Sequence, residues 1–192
     1  MYEIYGKRIF DIIFSFILLL VFLPLLLLCS VGILISSKGP ILFIQKRVGK
    51  NRDIFNIYKL RTMIVNTNRT LNQTTNNDPD VFLFGKILRR TKLDELPQLL
   101  NIFLGSMSFV GPRPILPSSF MEIENKYISR LDQKPGLTGL AQVNGNIYLT
   151  QTEKFDLDLN YCKRVTFLTD MAIILKTIAV VVLGEEKFKR KK

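Results

Sequence analysis

IIFSFILLLVFLPLLLLCSVGILI, residues 12–35, contains no charged side chain. At about 1.5 Å of rise per residue, a helix of this length would cross a hydrocarbon core about 30 Å thick. The stretch is longer than the apolar part of a usual signal peptide, and no small-residue cleavage site follows it. We therefore expect a membrane helix that remains in the protein.

Two features bear on how this helix meets the membrane. Lys7 and Arg8 precede the apolar stretch and Lys38 follows it, so the positive-inside rule would suit both ends on the cytoplasmic face. Pro24 lies near the middle, where it would remove a backbone hydrogen bond and bend the helix. Two topologies are open on these grounds: a re-entrant helix that enters and leaves one leaflet, and a bent helix that spans the bilayer.

The excess positive charge of the chain lies at its two ends. The net charge over 192 residues is +11, whereas residues 66–186 hold equal numbers of acidic and basic side chains. Basic ends beside an apolar stretch are typical of proteins that bind an anionic membrane surface. Nucleic-acid-binding domains more often spread basic residues over a folded face. A membrane-anchored nucleic-acid-binding protein is therefore the alternative rather than the first interpretation.

The absence of histidine restricts the chemistry. It excludes Ser-His-Asp and Cys-His relays, HExxH zinc sites and imidazole acid–base catalysis. The two cysteines lie far apart in sequence and indicate a reduced, cytosolic setting rather than a disulfide framework. Catalysis would therefore depend on carboxylates, lysine, hydroxyl groups or a bound metal.

Short periodic segments predict the secondary structure of the remaining chain. Residues 41–44 and 54–60 are β-rich runs around a basic loop, which favours a hairpin. Apolar residues at helical spacing predict helices over residues 78–90 and 94–104. Residues 167–183 predict an apolar helix that either lies in the membrane interface or covers the core.

Asp94 and Glu95 are the first candidates for catalysis. A helix N-terminus favours a carboxylate, and two adjacent carboxylates could bind Mg²⁺ together. Arg89 upstream, with Lys59 and Arg61 on a β-rich run, would supply positive charge for a phosphate. The simpler interpretation is that the acids cap the helix and the basic side chains face solvent.

Two motifs rich in glycine and proline could bind a ligand. Arg113 stands between two prolines in GPRP, residues 111–114, where a stiff backbone suits binding of a phosphate. PGLTGLAQVNG, residues 135–145, supplies the side-chain amides of Gln142 and Asn144 but matches neither the P-loop nor the dinucleotide fingerprint. The alternatives are an arginine paired with a local acid and a tight structural turn.

Five motifs in order resemble one known family: KRIFD before the apolar stretch, FNIYKLRTM, LRRTKLDELPQLLNI, SFVGPRP and KPGLTGLAQVNG. Together they resemble the bacterial sugar transferases, the small monotopic polyprenyl-phosphate phosphoglycosyl transferases, over nearly the whole chain. The resemblance implies transfer of a sugar 1-phosphate from a UDP-sugar to polyprenyl phosphate, usually undecaprenyl phosphate, with release of UMP. Such a reaction starts a capsule, exopolysaccharide, O-antigen or glycoprotein glycan on its lipid carrier.

The resemblance also implies roles for individual residues. Asp94 would be the nucleophile that carries a covalent phosphosugar intermediate, with Mg²⁺ associated with it, and Glu95 would assist or position it. Lys59 and Asp158 match further basic and acidic positions of the family motifs. The expected substrate-binding residues, from the motifs and the resemblance together, are Lys59, Arg61, Arg89, Arg113, Gln142, Asn144 and Asp158.

The expected fold is α+β and mostly helical, with a short β-hairpin, interfacial amphipathic helices and an N-terminal re-entrant membrane helix broken at Pro24. Residues 1–37 would form that helix with its basic flanks, and residues 38–192 a cytosolic interfacial catalytic domain with a basic tail. The expected location is the bacterial inner membrane, with catalysis on the cytoplasmic face. Expected partners are a UDP-sugar, polyprenyl phosphate, the membrane and, as one possible assembly, a second copy in a homodimer; nucleic acid is not expected.

Two positions depart from the family pattern. Leu23 precedes Pro24 where many relatives have serine, so a break in the helix would depend on proline alone. Asn146 stands where many relatives have arginine, so one positive contact is missing there, with a bearing on donor choice.

Residues 66–77, almost entirely Asn, Thr and Gln, are expected to form a loop that covers the donor as a lid. For the function of the whole protein, a non-catalytic scaffold that recruits glycan enzymes is the second alternative, after the membrane-anchored nucleic-acid-binding protein.

Overall fold

The computed structural model describes residues 1–65 and 78–188. The described chain is mostly helical with two small β-pairs, which confirms the predicted α+β class. The predicted lid over residues 66–77 and the last residues of the basic tail lie outside the described residues. The helices are α1 (Lys7–Ser36), α2 (Leu83–Thr91), α3 (Gln98–Leu104), α4 (Pro117–Met121), α5 (Leu140–Val143), α6 (Gln151–Cys162) and α7 (Phe167–Leu183); the strands are β1 (Leu42–Val48), β2 (Ile54–Leu60), β3 (Ser108–Val110) and β4 (Gly136–Thr138).

Of the two β-pairs, one was predicted from the sequence and the other was not. β1 and β2 form the predicted antiparallel hairpin, with Leu42 opposite Leu60 and Val48 opposite Ile54. β3 and β4 form a parallel pair that no sequence pattern indicated, with Ser108 opposite Gly136. Because β3 runs directly into the GPRP motif and β4 lies within the glycine motif, this pair brings the two motifs together.

The helix limits agree in part with the predictions. α7 has the predicted limits, whereas α2 begins at Leu83, since residues 78–82 form a turn and a single β-bridge from Val81 to Met63. The helix predicted over residues 94–104 begins instead as a 3₁₀ turn, Leu93–Glu95, and becomes α-helical only at Gln98. Pro97 cannot donate a backbone hydrogen bond, so it stands at a natural start for α3.

α1 is helical from Lys7 to Ser36 and contains Pro24. A proline inside a helix removes one backbone N–H donor and clashes with the carbonyl group four residues earlier, so helices commonly bend there. The break predicted at Pro24 stays a prediction. The segment Tyr2–Ser36 is, by length and composition, the one helix among residues 1–65 and 78–188 that could cross a membrane. The re-entrant topology and the boundary at residue 37 remain predictions.

The N-terminal end of α1 is fixed to the remaining chain by buried polar contacts. Lys7 Nζ lies 2.5 Å from a carboxylate oxygen of Asp170 and donates to the hydroxyl of Tyr161 at 3.0 Å. One turn later, Asp11 accepts hydrogen bonds from the backbone N–H of Phe109 and the hydroxyl of Ser108. The start of α1 is thereby tied to α7, to α6 and to the strand that leads into GPRP.

The C-terminal end of α1 contacts the same body of protein. Cys29 and Ile33 are buried in a cluster with Leu60 and Leu88, which belong to β2 and α2. Beyond the helix, the guanidinium of Arg61 donates to the carbonyl oxygens of Ser37 and Pro40. Because both ends are fixed to it, α1 lies along the domain and does not project away from it.

The main core lies between α1, β2, α3, β3 and α7. It packs the hairpin against α3 and the parallel β-pair, and so supports the segments on either side of the Asp94–Glu95 turn. Buried residues of this core are Ile57, Leu99, Ile102, Met107, Phe109, Val110, Val143, Tyr161, Ile173 and Val180.

Gly136 occupies a position where β4 approaches the GPRP segment too closely for a side chain. A Cβ atom there would overlap the backbone nitrogen of Gly111 and the carbonyl oxygen of Thr138. We expect Gly136→Ala to lower the free energy of unfolding by at least about 2 kcal/mol, because neither backbone segment can yield cheaply. Thermal unfolding compared with Thr152→Ala, at an exposed position of α6, measures this effect; equal melting temperatures would contradict it.

Candidate active site

Asp94 and Glu95 lie in the 3₁₀ turn between α2 and α3. Lys92 ends α2 in the left-handed conformation, with φ of 59°, and redirects the chain into this turn. Asp94 is 8% exposed, and its Oδ1 is buried without a hydrogen-bond partner within the described ranges. The turn therefore holds an unpaired carboxylate oxygen.

The surroundings of Asp94 raise its pKa from 3.8 to about 6. Burial is the main cause, and the negative charge of Glu95 adds to it. The positive charges of Lys59, Lys92 and Arg89 act in the opposite direction. The Asp94 carboxyl group is therefore mostly ionised at neutral pH, as a nucleophile or a metal ligand must be.

Glu95 has a different environment. Its Oε1 accepts a hydrogen bond from Lys59 Nζ at 2.6 Å and another from the Arg113 guanidinium at 3.4 Å. Burial acts to raise the pKa of Glu95, but the charges of Lys59 and Arg113 outweigh burial and hold this pKa well below its usual range. Glu95 is therefore a permanent counterion of Lys59 and Arg113, and of these two cations Lys59 also acts electrostatically on Asp94.

A small, narrow cleft opens beside Glu95. Its lining includes three cationic side chains, Arg47, Lys59 and Arg113. The pKa of Arg47 is lowered to about 10 by burial and by the charge of Arg113, so Arg47 is still positive at neutral pH. More positive than negative charge in a partly enclosed site favours a phosphate or diphosphate ligand.

The GPRP segment and Ile115, the residue after it, are fixed at four consecutive carbonyl groups, those of residues 112–115. Each accepts a hydrogen bond from a different residue, so the backbone that carries the Arg113 side chain has little freedom. These bonds run from Gly136 N to Pro112 at 2.9 Å, from Arg130 Nη2 to Arg113 at 2.7 Å, from Arg47 Nη1 to Pro114 at 3.3 Å and from Val48 N to Ile115 at 2.9 Å.

Asp158 does not reach the cleft, in contrast to the predicted substrate contact. Its carboxylate is 2% exposed, and one oxygen accepts two hydrogen bonds from the guanidinium of Arg130. Burial raises the pKa of Asp158, and the charge of Arg130 opposes that shift. Asp158 is thus the buried counterion of Arg130, which no sequence motif had indicated.

Arg61 and Asn144 are also occupied by structural contacts. Arg61 is 4% exposed, and its guanidinium holds the chain that follows α1 through the carbonyl oxygens of Ser37 and Pro40. Asn144 Oδ1 accepts a hydrogen bond from Lys176 Nζ on α7 at 2.6 Å. The predicted substrate contacts of Arg61 and Asn144 find no support in this arrangement.

Arg89 and Gln142 are compatible with the predicted binding roles. Arg89 Nε donates to the hydroxyl of Thr62 at 2.9 Å, and the positive charge of Arg89 acts on Asp94. Both amide atoms of Gln142 are buried with no hydrogen-bond partner in the part of the chain that is described. An unpaired buried amide is unfavourable, and a ligand that pairs with it would remove that penalty.

Asn146, the position that departs from the family pattern, shares a carboxylate partner, Glu185, with the cation Lys92. Glu185 Oε1 accepts a hydrogen bond from Asn146 Nδ2 at 2.9 Å and pairs with Lys92 Nζ at 2.6 Å. Lys92 also acts electrostatically on Asp94 and Glu95. Lys92 is part of the LRRTKLDELPQLLNI motif, but its ion pair with Glu185 joins residues that are distant in sequence and could not be read from that motif.

The carboxylate of Asp94 fits a magnesium ligand by its chemistry. Its Oδ1 is an unpaired, anionic oxygen, the donor type that Mg²⁺ prefers. Over residues 1–65 and 78–188, no group of three or more Asp, Glu or Cys side chains converges on one point. Mg²⁺ commonly binds to one or two carboxylates together with substrate phosphates and water, so Asp94 suits an ion that binds together with a phosphorylated substrate.

Comparison with known proteins identifies the family to which the chain is similar. The family described as bacterial sugar transferase matches residues 2–184. The UDP-glucose:undecaprenyl-phosphate glucose-1-phosphate transferase of Xanthomonas campestris pv. campestris is 40% identical over 195 residues, which cover 96% of this chain and 40% of that protein. The undecaprenyl-phosphate glucose phosphotransferase of Komagataeibacter xylinus is 36% identical over 200 residues, covering 97% of this chain and 38% of that protein.

A shorter relative matches over most of its own length. The exopolysaccharide production protein ExoY of Rhizobium meliloti (strain 1021) is 33% identical over 199 residues, which cover 95% of this chain and 88% of that protein. By contrast, the chain spans about two fifths of the length of the Xanthomonas and Komagataeibacter relatives. The match over residues 2–184 and the identity to a relative of similar length lead to one conclusion: the chain belongs to the bacterial sugar transferase family.

Proposed function

We propose that this protein transfers a sugar 1-phosphate from a UDP-sugar to undecaprenyl phosphate and releases UMP. The observation that carries the proposal is the contrast between the two acids: Asp94 has an unpaired oxygen, whereas Glu95 is neutralised by Lys59 and Arg113. One carboxylate is available for chemistry and the other holds cations for a diphosphate. The names of the relatives, which are glucose-1-phosphate transferases, make UDP-glucose the first donor to test.

In the proposed first step, an oxygen of the Asp94 carboxylate attacks the phosphorus that bears the sugar. A bond forms between that oxygen and phosphorus, and the bond from phosphorus to the bridging oxygen of the diphosphate breaks. The electron pair leaves with UMP, whose new negative charge is stabilised by nearby cations. Lys59 and Arg113 are suited to this task because Glu95 already holds them beside the cleft.

In the proposed second step, a phosphate oxygen of undecaprenyl phosphate attacks the same phosphorus. The bond between phosphorus and Asp94 breaks, and the carboxylate is regenerated with its electron pair. The product is an undecaprenyl diphosphate sugar, the first lipid-linked intermediate of a glycan such as exopolysaccharide. Neither step requires histidine, since the nucleophile is a carboxylate that is mostly ionised at neutral pH.

Mg²⁺ is proposed as the cofactor, held by Asp94 together with phosphate oxygens of the donor. Its chemistry, when bound, is to neutralise charge on the diphosphate. The protein contributes the buried Asp94 oxygen, the cations Lys59 and Arg89, whose charges act on Asp94, and Arg113 beside Glu95. Removal of divalent cations with EDTA should stop turnover, and added Mg²⁺ should restore it.

The proposed location is the cytoplasmic face of the bacterial inner membrane, with α1 embedded in it. Large apolar side chains cover the outward surface of α1, among them Leu20, Leu27 and Leu28. Both ends of α1 contact the same domain, which favours a re-entrant helix over one that spans the bilayer. The active site would then face a soluble nucleotide sugar and a membrane-bound acceptor at one interface.

The decisive experiment uses the full chain in detergent or nanodiscs with UDP-glucose, undecaprenyl phosphate and Mg²⁺. We expect UMP release that depends on the lipid acceptor, and a panel of other UDP-sugars would establish the donor. Without acceptor, intact mass spectrometry should detect one hexose phosphate added to the protein. A scaffold or a nucleic-acid-binding protein would release no UMP with any donor, and that result would reject the proposed activity.

The raised pKa of Asp94 predicts a pH dependence for the first step. Only the ionised carboxylate attacks phosphorus, so the rate of adduct formation should fall as the pH drops below about 6, by about tenfold per pH unit. Because a bound cation favours the ionised form, more Mg²⁺ should move this fall to lower pH. Single-turnover adduct formation between pH 5 and 8 measures it, and a constant rate at limiting Mg²⁺ would contradict the prediction.

A further inference from the structure

We infer that Arg130 and Asp158 are positioning residues that hold Arg113 in place for the phosphates of the donor. The inference rests on the proposed function, in which Arg113 faces the donor diphosphate. It assigns the buried pair a task at the active site, although neither side chain reaches the cleft. The link between the pair and the cleft is a single hydrogen bond from Arg130 to the carbonyl oxygen of Arg113, 2.7 Å long.

The side chain of Arg113 depends on its backbone for its position. It is 46% exposed, and its ion partner is Glu95 at the long distance of 3.4 Å. Pro112 and Pro114 on either side carry no N–H, so the carbonyl groups are the main points at which this segment can be fixed. The carbonyl of Arg113 itself is held by Arg130, so this bond fixes the backbone of the residue that carries the guanidinium.

Arg130 can serve this carbonyl only because Asp158 compensates its charge. Arg130 is 1% exposed, and an unpaired guanidinium at that depth would be strongly unfavourable. Asp158 binds Nε and Nη2 of Arg130 through one oxygen, and Phe155 lies against the guanidinium with 4.7 Å from its carbon to the ring centre. The pair therefore aims Nη2 at the carbonyl of Arg113.

A contribution to stability alone does not explain the Arg130–Asp158 ion pair well. Nη1 of Arg130 and Oδ1 of Asp158 are both buried without a partner among residues 1–65 and 78–188. Buried ion pairs with unsatisfied atoms are often no more stable than apolar residues of the same volume. A pair that retains this penalty while it donates to the backbone of Arg113 is better explained by the placement of Arg113.

The first test is a double-mutant cycle on the full chain, with the KM for the UDP-sugar donor as the readout. Arg130→Met and Arg113→Met should each raise this KM by about ten- to a hundredfold, as expected for the loss of a charged hydrogen bond. If Arg130 acts through Arg113, the double variant Arg130→Met/Arg113→Met should be no worse than Arg113→Met alone. Multiplied effects in the double variant would overturn the inference.

The second test separates position from stability. Arg130→Met leaves the Asp158 carboxylate buried without its cation, so its melting temperature should fall. Arg130→Met/Asp158→Leu removes both charges and should recover most of the melting temperature, yet its donor KM should stay raised because no donor remains for the Arg113 carbonyl. Recovery of the donor KM together with stability would mean that the pair is only structural, and would overturn the inference.

A third variant, Arg130→Lys, tests the inference in the event that Arg130→Met does not fold. Arg130→Lys keeps a charge beside Asp158, but its flexible side chain lacks the rigid planar guanidinium that fixes the direction of the hydrogen bond to the Arg113 carbonyl. It should fold and show a raised donor KM with a smaller change in kcat at saturating donor. These outcomes are distinct from failure of the proposed function, because in that case the unaltered chain itself would release no UMP from any UDP-sugar.

Discussion

Replacement of Asp94 by asparagine should abolish the phosphosugar adduct and lower turnover by at least about a thousandfold. The asparagine amide has nearly the same shape as the carboxylate, but it has no negative charge and is a poor nucleophile. It also loses the anionic oxygen that is proposed to bind Mg²⁺. Intact mass without acceptor and UMP release with acceptor measure the two effects separately.

The matched control for Asp94→Asn is Asp156→Asn. Asp156 lies at an exposed position of α6, so the same chemical change should leave both the adduct and the turnover intact. Glu95→Gln is a second comparison, because it preserves the nucleophile and removes the counterion of Lys59 and Arg113. Adduct formation by Asp94→Asn at the rate of the unaltered chain would refute the assignment of the nucleophile.

Replacement of Lys7 by methionine is expected to cause a large loss of stability at a position outside the active site. Lys7 Nζ lies 2.5 Å from Asp170, and the two side chains are 10% and 3% exposed. Without Lys7, the Asp170 carboxylate is left buried, and its remaining donors among residues 1–65 and 78–188 are the hydroxyls of Tyr2 and Tyr161. The loss of one partner of a buried pair typically costs about 3 to 5 kcal/mol, to be measured by thermal or denaturant unfolding in a fixed detergent.

The control for Lys7→Met is the apolar pair Lys7→Met/Asp170→Leu. Removal of both charges should recover much of the stability, since no unpaired charge remains. Arg8→Met, one residue away, removes hydrogen bonds to the carbonyl oxygens of Ile102 and Phe103 without leaving a buried charge, so a smaller loss is expected. An unchanged midpoint for Lys7→Met would contradict the importance of this contact.

Local patterns predicted the hairpin and α7, because each is defined by residues that are close in sequence. β1 and β2 join through a short turn, and the apolar run of α7 ends at Gly184. The parallel pair β3–β4 could not be predicted in this way. Each of its strands has three residues, and the partner strand lies beyond α4 and a 3₁₀ segment, so periodicity carries no information about the pairing.

The residues of the candidate site also differ in whether the local sequence could predict their roles. Asp94 and Glu95 are neighbours in sequence and were recognisable, whereas the ion pair between Lys59 and Glu95 joins residues 36 apart. Arg61 and Asn144 were expected at the substrate because polar side chains in motifs suggest binding. In the structure their hydrogen bonds serve the backbone after α1 and a lysine of α7, contacts that only the tertiary arrangement reveals.

The four hydrogen bonds to the carbonyls of residues 112–115 also have a consequence for folding. Their donors come from β1, from the 3₁₀ segment between α4 and β4, and from β4, so the segment is completed only after distant parts of the chain have met. Contacts between residues far apart in sequence form slowly, because closing a long loop must precede them. Arg113 therefore takes up its position late in folding, and recovery of activity after denaturation should be among the last events to reach completion.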